Sequence, residues 1–159
     1  MKRPAIFVVI GLVVLSGCTA ATFKGGIEPI YPGVRSVGKT YETTDTLTPT
    51  FRWKSDKDGV CTYDFAIWDV GATLPSGMSG SMVMKGPAVY YKEALARPEH
   101  TIEISLGPDS RYFWSARLRC DGKVSEWATY DYHQWVGIAA AEGRNWPFGF
   151  KTPKITGKQ

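Results

Sequence analysis

The chain has 159 residues, a length that suits one domain and is short for two. Its 43% hydrophobic and 21% charged residues are typical of a globular protein, and its 13% aromatic content favours strands over helices. The formal net charge of +4 includes Lys2 and Arg3, which belong to a leader-like segment. Without these two residues the net charge is about +2, so the charge gives no support for nucleic-acid binding.

Residues 1–17 have the pattern of a signal peptide. Lys2 and Arg3 form a basic start, and the apolar run that follows is about half of the roughly 20 residues that a membrane-spanning helix needs. The run ends in Leu-Ser-Gly-Cys, which resembles the lipobox of bacterial lipoproteins. The resemblance implies that a signal helix is cleaved before Cys18 and that palmitate-type acyl chains on this residue anchor the chain stably to a membrane. The alternative is an uncleaved leader with an unrelated cysteine.

The residues after Cys18 bear on localisation. Thr19 takes the place of the Asp that retains many lipoproteins on the inner membrane, so the resemblance implies a cell-envelope protein of the outer membrane if the cell is Gram-negative. Residues 18–33 are rich in Gly and Pro and show no periodicity. They predict a tether that lifts the domain from the lipid surface.

Two further cysteines, Cys61 and Cys120, belong to the exported part of the chain. Their spacing fits no metal motif, and export places them in an oxidising compartment. We therefore favour a disulfide over two free thiols. Closing a loop of about 60 residues would stabilise the fold by roughly 4 kcal/mol, because it restricts the unfolded chain.

Four segments alternate between apolar and polar residues with a period of two, as strands do. They are TLTPTFRWK, CTYDFAIWD, HTIEISL and RYFWSARLRC. One apolar face on each segment, with turn residues between segments, predicts an all-β antiparallel β-sandwich. The residues predicted to face the core are Pro49, Phe51, Trp53, Cys61, Tyr63, Phe65, Ile67, Ile102, Ile104, Leu106, Tyr112, Trp114, Ala116, Leu118 and Cys120.

The stretch SLGPDSRYFWSARLR resembles the connection between strands E and F of fibronectin type III domains, in which Tyr112 would form the tyrosine corner. PTFRWK is similar to strand B of that family, TYDFAIW to strand C, TIEISL to strand E, and PFGFKTP to the end of strand G. The resemblance covers residues 34–152 and leaves 153–159 as a tail. It implies that strands C and F are neighbours, which would place Cys61 beside Cys120.

The segment between strands F and G is unusually long. WPFGFK aligns Trp146, Phe148 and Phe150 on one face and is predicted to be strand G, whereas neither face of WATYDYHQW is clean. Residues 121–145 then form an ordered excursion, with part of SEWATYDYH beside strand F and VGIAAAEG as a short helical turn. Four aromatic residues of the excursion are candidate binding residues. They are Tyr130, Tyr132, His133 and Trp135; the alternative is that they close the end of the core, as expected for Trp127.

No catalytic or cofactor motif is present. The two histidines, His100 and His133, have no acidic or Cys neighbour at metal-ligand spacing, and the segment 56–59 is typical of a turn rather than a calcium loop. We therefore expect no enzyme activity, no metal and no cofactor. Arg117 and Arg119 are further candidate binding residues for an acidic ligand, or they pair with Asp64 on the neighbouring strand.

The sequence thus predicts a lipid-anchored binding or structural module that recognises an envelope protein or a glycan. The alternative is an accessory subunit of an envelope assembly or secretion machine, and an envelope enzyme without a recognisable motif is a third class. The expected partners are the membrane, through acylated Cys18, and one unknown protein or glycan, with no nucleic acid.

Overall fold

The structure is a computed structural model. It describes residues 20–34, 41–70, 73–75, 82–84, 86–136 and 139–155, with backbone only at 20, 73–75, 82–84, 133–136 and 139–142. The predicted signal helix and Cys18 lie outside the described residues. Within the described ranges there is no helix with the length and apolar character that a membrane crossing requires.

The described residues form an all-β structure of mostly antiparallel strands. The strands are β1 (Ala20–Lys24), β2 (Ile27–Tyr31), β3 (Glu42–Thr43), β4 (Thr50–Ser55), β5 (Thr62–Asp69), β6 (Thr73–Pro75), β7 (Met82–Met84), β8 (Tyr90–Leu95), β9 (Glu99–Thr101), β10 (Arg111–Cys120), β11 (Lys123–Val124), β12 (Thr129–Val136), β13 (Ala139–Trp146) and β14 (Phe148–Lys151).

Two of the sheets enclose the main core, as in a β-sandwich. One has the order β2-β4-β9 and the other β3-β14-β10-β5-β8, with β11 also on β10. Aromatic side chains join them: the Phe51 ring lies 5.2 Å from the Trp114 ring, and Trp53 stacks on Phe65 at 5.9 Å. Each such side chain contributes about 2–3 kcal/mol by leaving water, so these contacts dominate the core.

Strand β4 follows its sequence pattern closely. Phe51 and Trp53 are fully buried, whereas Arg52 and Lys54 on the opposite face are exposed. Because successive side chains of a strand point to opposite faces, the alternation of the sequence becomes an inside and an outside. The prediction of an apolar face on TLTPTFRWK is confirmed.

Strand β5 is buried on both faces. Tyr63, Phe65 and Ile67 lie in the core as predicted, but Asp64 on the other face is also 0% exposed. The strand lies between β10 and β8, and side chains of both neighbours cover its outer face. A period-two pattern predicts which side chains of a strand face the core. It cannot show that polar side chains of neighbouring strands cover the outer face.

The predicted disulfide is confirmed. Cys61 and Cys120 are bonded, with their Cα atoms 4.8 Å apart. Strands β5 and β10 pair in antiparallel register up to Thr62 and Arg119, so the cysteines meet where the ladder ends. The bridge ties the start of one central strand to the end of the other.

The segment HTIEISL departs from its prediction. Strand β9 ends at Thr101, and Ile104 is 41% exposed instead of facing the core. Ile102 and Leu106 are buried as predicted, held by backbone hydrogen bonds to Pro49 and Leu47. The chain therefore continues to touch the loop before β4 without forming a regular ladder, and Ile104 turns to solvent.

The strand that follows β10 is split by an inserted hairpin. Strand β11 and residues 125–128 pair with the second half of β10, while β14 pairs with its first half. Strands β12 and β13 form the hairpin between them. The predicted strand at PFGFK and the pairing of SEWA beside β10 are confirmed. Within the predicted excursion, residues 129–135 of WATYDYHQW belong to the regular strand β12, which the lack of a clean face did not indicate. The predicted helical turn at VGIAAAEG is wrong, because its described residues belong to the end of β12 and the start of β13.

The predicted tether is also corrected. Within its described part, β1 pairs with β12 of the inserted hairpin and β2 pairs with β4, and Ile27 is 1% exposed. Gly25 and Gly26 both have positive φ, so they form a sharp corner that sends the two strands to different sheets. The glycines of this segment predicted a tether and gave no indication of β1 and β2, two short strands whose partners lie far away in the sequence.

Candidate functional site

One surface concentrates charged and aromatic side chains on the outer side of β8, β5 and β10. We call it the Asp64 face, and it consists of Asp64, Trp68, Tyr91, Arg117, Arg119 and Trp127. Strand β10 presents Arg117 and Arg119 outward because its inward positions hold Trp114 and Ala116, both 0% exposed. The register pairs Arg117 with Asp64 directly.

Asp64 is the centre of this surface. Its carboxylate accepts hydrogen bonds from Arg117 Nε at 3.1 Å, from Arg119 Nε at 3.0 Å and from the second nitrogen of Arg119 at 2.9 Å. The backbone N–H of Ala94 at 3.2 Å and the Tyr91 hydroxyl at 3.4 Å complete the set. A fully buried carboxylate needs such compensation, because burying an unpaired charge costs several kcal/mol.

The pKa of Asp64 follows from this environment. Burial by itself raises the pKa of a carboxyl group, but hydrogen bonds from Arg119, Ala94 and Arg117 lower it, and the net pKa lies below the ordinary value of 3.8. Arg119 shows the reciprocal effect, because its hydrogen bond to Asp64 raises its pKa. Asp64 is therefore ionised at neutral pH.

Trp127 is placed by an irregularity in the segment after β11. Ser125 N bonds to Leu118 O and Ala128 N bonds to Ala116 O, so this segment advances three residues while β10 advances two. Such a bulge redirects a side chain. The guanidinium of Arg117 lies 4.5 Å from the centre of the Trp127 ring, and the ring meets Trp68 edge-on at 5.1 Å. Trp127 packs on the outer face and does not close the core end.

The charges of the Asp64 face largely neutralise one another. Both arginines are committed to Asp64, and Arg119 also lies 3.5 Å from Glu93, so little free positive charge remains for an acidic ligand. The outcome matches the alternative of pairing with Asp64. Tyr91, at 42% exposure, and Val89, at 43%, provide accessible surface on and beside β8.

Two predicted binding residues of the hairpin have packing roles. Tyr130 is buried, and its ring stacks on Phe148 at 6.1 Å. Burial raises the pKa of Tyr130 to about 12. Tyr132 is half-buried and packs edge-on against Trp146 at 5.7 Å. The alternative that these aromatics close the core therefore holds for Tyr130, and Tyr132 extends the same cluster.

The other two predicted residues lie farther along the hairpin. The backbone of His133 pairs with Ala20 and Glu142, and that of Trp135 pairs with Ala140. Their side chains are outside the described atoms. Gly143 stands opposite Tyr132, and a side chain there would collide with the rings of Tyr132 and Trp146. The aromatic rings thus require glycine at this position.

His100 is engaged in a separate contact between sheets. Its Nε2 lies 2.6 Å from the Tyr90 hydroxyl, and the two rings stack at 5.6 Å. Burial lowers the pKa of His100 from 6.5, although Glu103 nearby acts in the opposite direction. A neutral imidazole that shares a hydrogen bond with tyrosine suits a structural position.

No group of three or more His, Cys, Asp or Glu suited to a metal ion occurs in the part of the chain that the structure describes. Comparison of the chain with protein-family models, with curated proteins and with solved structures gave no match.

Sequence reasoning identified Arg117 and Arg119 but missed Tyr91 and Trp68 on the same surface. Tyr91 lies on β8, a strand that no sequence pattern indicated. Trp68 has outward parity on β5, and it is 5% exposed because the Trp127 ring covers it. The available signal was an apolar residue at an outward position of a central strand, which indicates that something covers that face.

Proposed function

We propose that this chain is a lipid-anchored, non-catalytic module of the cell envelope that binds a protein partner through the Asp64 face. The lipobox-like sequence at Cys18 supports the anchor, and the bond between Cys61 and Cys120 suits an oxidising compartment outside the cytoplasm. If the cell is Gram-negative, Thr19 after Cys18 favours the outer membrane.

The observation that carries the proposed binding role is the Arg117 and Trp127 pair held by Asp64. Trp, Tyr and Arg are the residues that most often dominate the energy of protein interfaces. Here hydrogen bonds to a buried carboxylate fix the arginine, and the arginine fixes the indole, so little side-chain entropy remains to be lost on binding. Neutralised charge favours a protein surface over an acidic glycan.

We further propose that the sandwich is of the fibronectin type III kind. The order β2-β4-β9 in one sheet and the order β14-β10-β5-β8 in the other support this, because they correspond to strands A-B-E and G-F-C-C′ of that family; β3 pairs with β14 as an additional strand. The Tyr112 hydroxyl accepts a hydrogen bond from Gly107 N at 3.0 Å, as a tyrosine corner does. The hairpin β12-β13 would then be an insertion within strand G.

The engagement of the acid–base side chains supports a non-catalytic role. Asp64 takes hydrogen bonds from Arg117, Arg119, Ala94 and Tyr91, which leaves its lone pairs occupied. His100 is held against Tyr90 between two strands. A general acid or base must reach the substrate's proton, and these contacts keep both groups from doing so.

The anchor is tested by replacing the acylated thiol. Cys18→Ser removes the nucleophile that would carry the lipid, so we expect the protein to leave the membrane fraction and to become soluble in the envelope. The matched measurement is the mass of the mature N-terminus in the wild type. Retention of the Cys18→Ser protein in washed membranes would contradict the lipid anchor.

The partner site is tested by photo-crosslinking in cells. A photoreactive amino acid at Tyr91 is expected to give a defined adduct with one envelope protein, because this side chain is exposed on the Asp64 face. The control is the same amino acid at Lys54, an exposed position on the other sheet. Adducts of equal yield at both positions, or none at Tyr91, would contradict a protein partner at this face.

An accessory-subunit role is the second candidate. Among the described strands, β8 ends its sheet and carries exposed Tyr91 beside Val89, which would allow a partner strand to add there. An adduct from Tyr91 that migrates with a large, stable envelope complex would favour this role. A small and dissociable adduct would favour simple recognition.

A further inference from the structure

The pairing of β4 with β9 is bounded at each end by a backbone hydrogen bond. Trp53 N donates to Pro98 O at 3.0 Å, and Ile102 N donates to Pro49 O at 3.3 Å. In an antiparallel ladder, directly bonded pairs recur at every second position along each strand. These two bonds therefore determine which residues between them turn their backbone groups toward the neighbouring strand and which turn them away.

Strand β9 presents unpaired backbone groups along its outer edge. Phe51 pairs with His100, halfway between the two bonds, so the N–H and C=O of His100 point toward β4. Glu99 and Thr101 occupy the alternate positions, so their N–H and C=O groups point away from β4. Among the described strands β9 ends its sheet, and these groups have no hydrogen-bond partner within the described residues. The edge thus offers two donors and two acceptors that repeat at about 7 Å.

The opposite edge of the same sheet is unsuited to pairing. On β2, Pro29 pairs with Trp53, whose backbone groups are turned toward β9. Pro29 is therefore at an outward position, where it has no N–H to donate, and the register of β2 shifts beside it. Proline and bulges are common means of preventing a sheet edge from pairing. Neither occurs within β9.

A groove lies beside the open edge of β9. Its volume is about 450 Å³, and residues 95–97 of the turn after β8 form one wall, while β9 itself forms another. His100 and Leu95 are half-buried and lie toward the core, whereas Glu99 and Thr101 are exposed on the outer face. The groove therefore adjoins the unpaired backbone groups and has a volume typical of ligand sites.

We propose that β9 accepts an extended segment of a protein partner as an added strand of this sheet. An extended backbone carries donors and acceptors at the spacing of those on Glu99 and Thr101. The residue opposite His100 points into the groove beside Leu95, so it is apolar, and its two neighbours face water, so they are polar. This edge and the Asp64 face belong to different sheets, so binding at β9 does not depend on that face.

Amide hydrogen exchange of the full-length protein, purified in a mild detergent, tests the added strand in two steps. In the free protein, the amides of Glu99 and Thr101 should exchange fast and that of His100 slowly. A phage library of short random peptides is then used to select ligands, and a selected peptide should slow exchange at Glu99 and Thr101. Slow exchange of both amides in the free protein would mean that the chain itself covers this edge, which overturns the proposal. It is also overturned if the selected peptides protect only other strands, or if no peptide protects these two amides.

Two variants separate the backbone of Thr101 from its side chain. Thr101→Pro and Thr101→Val both lose the hydroxyl that lies 2.7 Å from that of Thr50, but only proline removes the outward N–H. We expect Thr101→Pro to bind a selected peptide about tenfold more weakly than Thr101→Val, because a hydrogen bond to the added strand is lost. Melting temperatures show whether both variants are folded, and equal affinities of two folded variants contradict the added strand.

Peptides methylated on one backbone nitrogen at a time give the same test on the wild type. Methylation at alternate positions should weaken binding about tenfold, because those N–H groups point toward β9, and methylation at the positions between them should have little effect. An effect that does not alternate along the peptide excludes strand addition.

Discussion

Asp64 shows how one buried side chain organises a surface. Its carboxylate takes three hydrogen bonds from two arginines, and one of those arginines lies against Trp127. Burying a charge is tolerated here because Arg117, Arg119, the Ala94 N–H and the Tyr91 hydroxyl all donate hydrogen bonds to it. The partly exposed arginines, at 22% and 31%, keep contact with water, so the penalty for their own burial is modest.

We expect Asp64→Asn to lower the free energy of unfolding by about 3 kcal/mol at neutral pH, because it leaves two arginines without their buried partner. The folded pKa of Asp64 lies below 3.8, so its stabilisation is complete above that pH and is lost as the pH falls through the folded value. Urea titrations at neutral and acidic pH should therefore show a smaller loss on acidification in Asp64→Asn than in wild type.

Glu93→Gln is the matched control, because Glu93 is an exposed carboxylate 3.5 Å from the same Arg119. An exposed ion pair contributes about 0.5 kcal/mol, so this variant should unfold almost as the wild type does. Equal effects of the two substitutions would show that Asp64 acts only through general charge and not through its buried hydrogen bonds.

The inserted three-stranded sheet is made from two distant parts of the chain. Strand β1 covers one side of β12, and Phe23 packs against Tyr130 at 6.4 Å and against Phe148 at 6.3 Å. The hairpin is thus joined to the core by aromatic rings and to the N-terminal strand by backbone hydrogen bonds. A two-stranded hairpin alone is marginally stable in water, which makes the third strand important.

Deleting β1 should loosen the hairpin and leave the sandwich intact. A soluble chain that begins at Gly25 is expected to lose amide hydrogen-exchange protection in β12, compared with a chain that begins at Thr19. Protection in β5 and β10 is the internal control, because neither strand pairs with β1. Unchanged protection in β12 would show that the hairpin is held without β1 and Phe23, by contacts such as Tyr130 with Phe148.

A strand of the sandwich could be predicted from the sequence where one of its faces is buried and the other is polar. Phe51 and Trp53 on β4 are the best example, since Arg52 and Lys54 alternate with them. Strands β12 and β13 could not, because WATYDYHQW has no clean face and the bulge near Tyr130 interrupts its register. Strand β1 could not be predicted either, because its partner β12 lies more than 100 residues later in the sequence.

The candidate site was predictable only in part. Arg117 and Arg119 stood out as outward residues on a strand with a known inner face, and Asp64 was their expected partner. Tyr91 could not be found, because β8 carries no alternating pattern and begins after a long segment without one. The position of Trp127 depends on a bulge, and bulges depend on pairing geometry that a single sequence does not contain.

At the scale of the whole molecule, the Cys61–Cys120 disulfide joins the two central strands, β5 and β10. Cys61 and Cys120 are 59 residues apart in sequence, and the loop between them contains strands β5 to β10. Restricting a loop of this size stabilises the folded state by about 4 kcal/mol, chiefly by reducing the entropy of the unfolded chain. A domain of this length is commonly stable by only 5–15 kcal/mol, so the contribution is large.

We therefore expect the double variant Cys61→Ser, Cys120→Ser to unfold at a clearly lower urea concentration than the oxidised wild type, by about 4 kcal/mol in free energy. Reduced wild type should match the variant, and a reducing agent should leave the variant unchanged. Asp64, Arg117 and Arg119 lie on the same two strands, so the arginines should keep their contacts with Asp64 as long as the sheet is folded. If oxidised and reduced wild type unfold together, the aromatic core alone holds β5 to β10, and the bond serves some purpose other than stability.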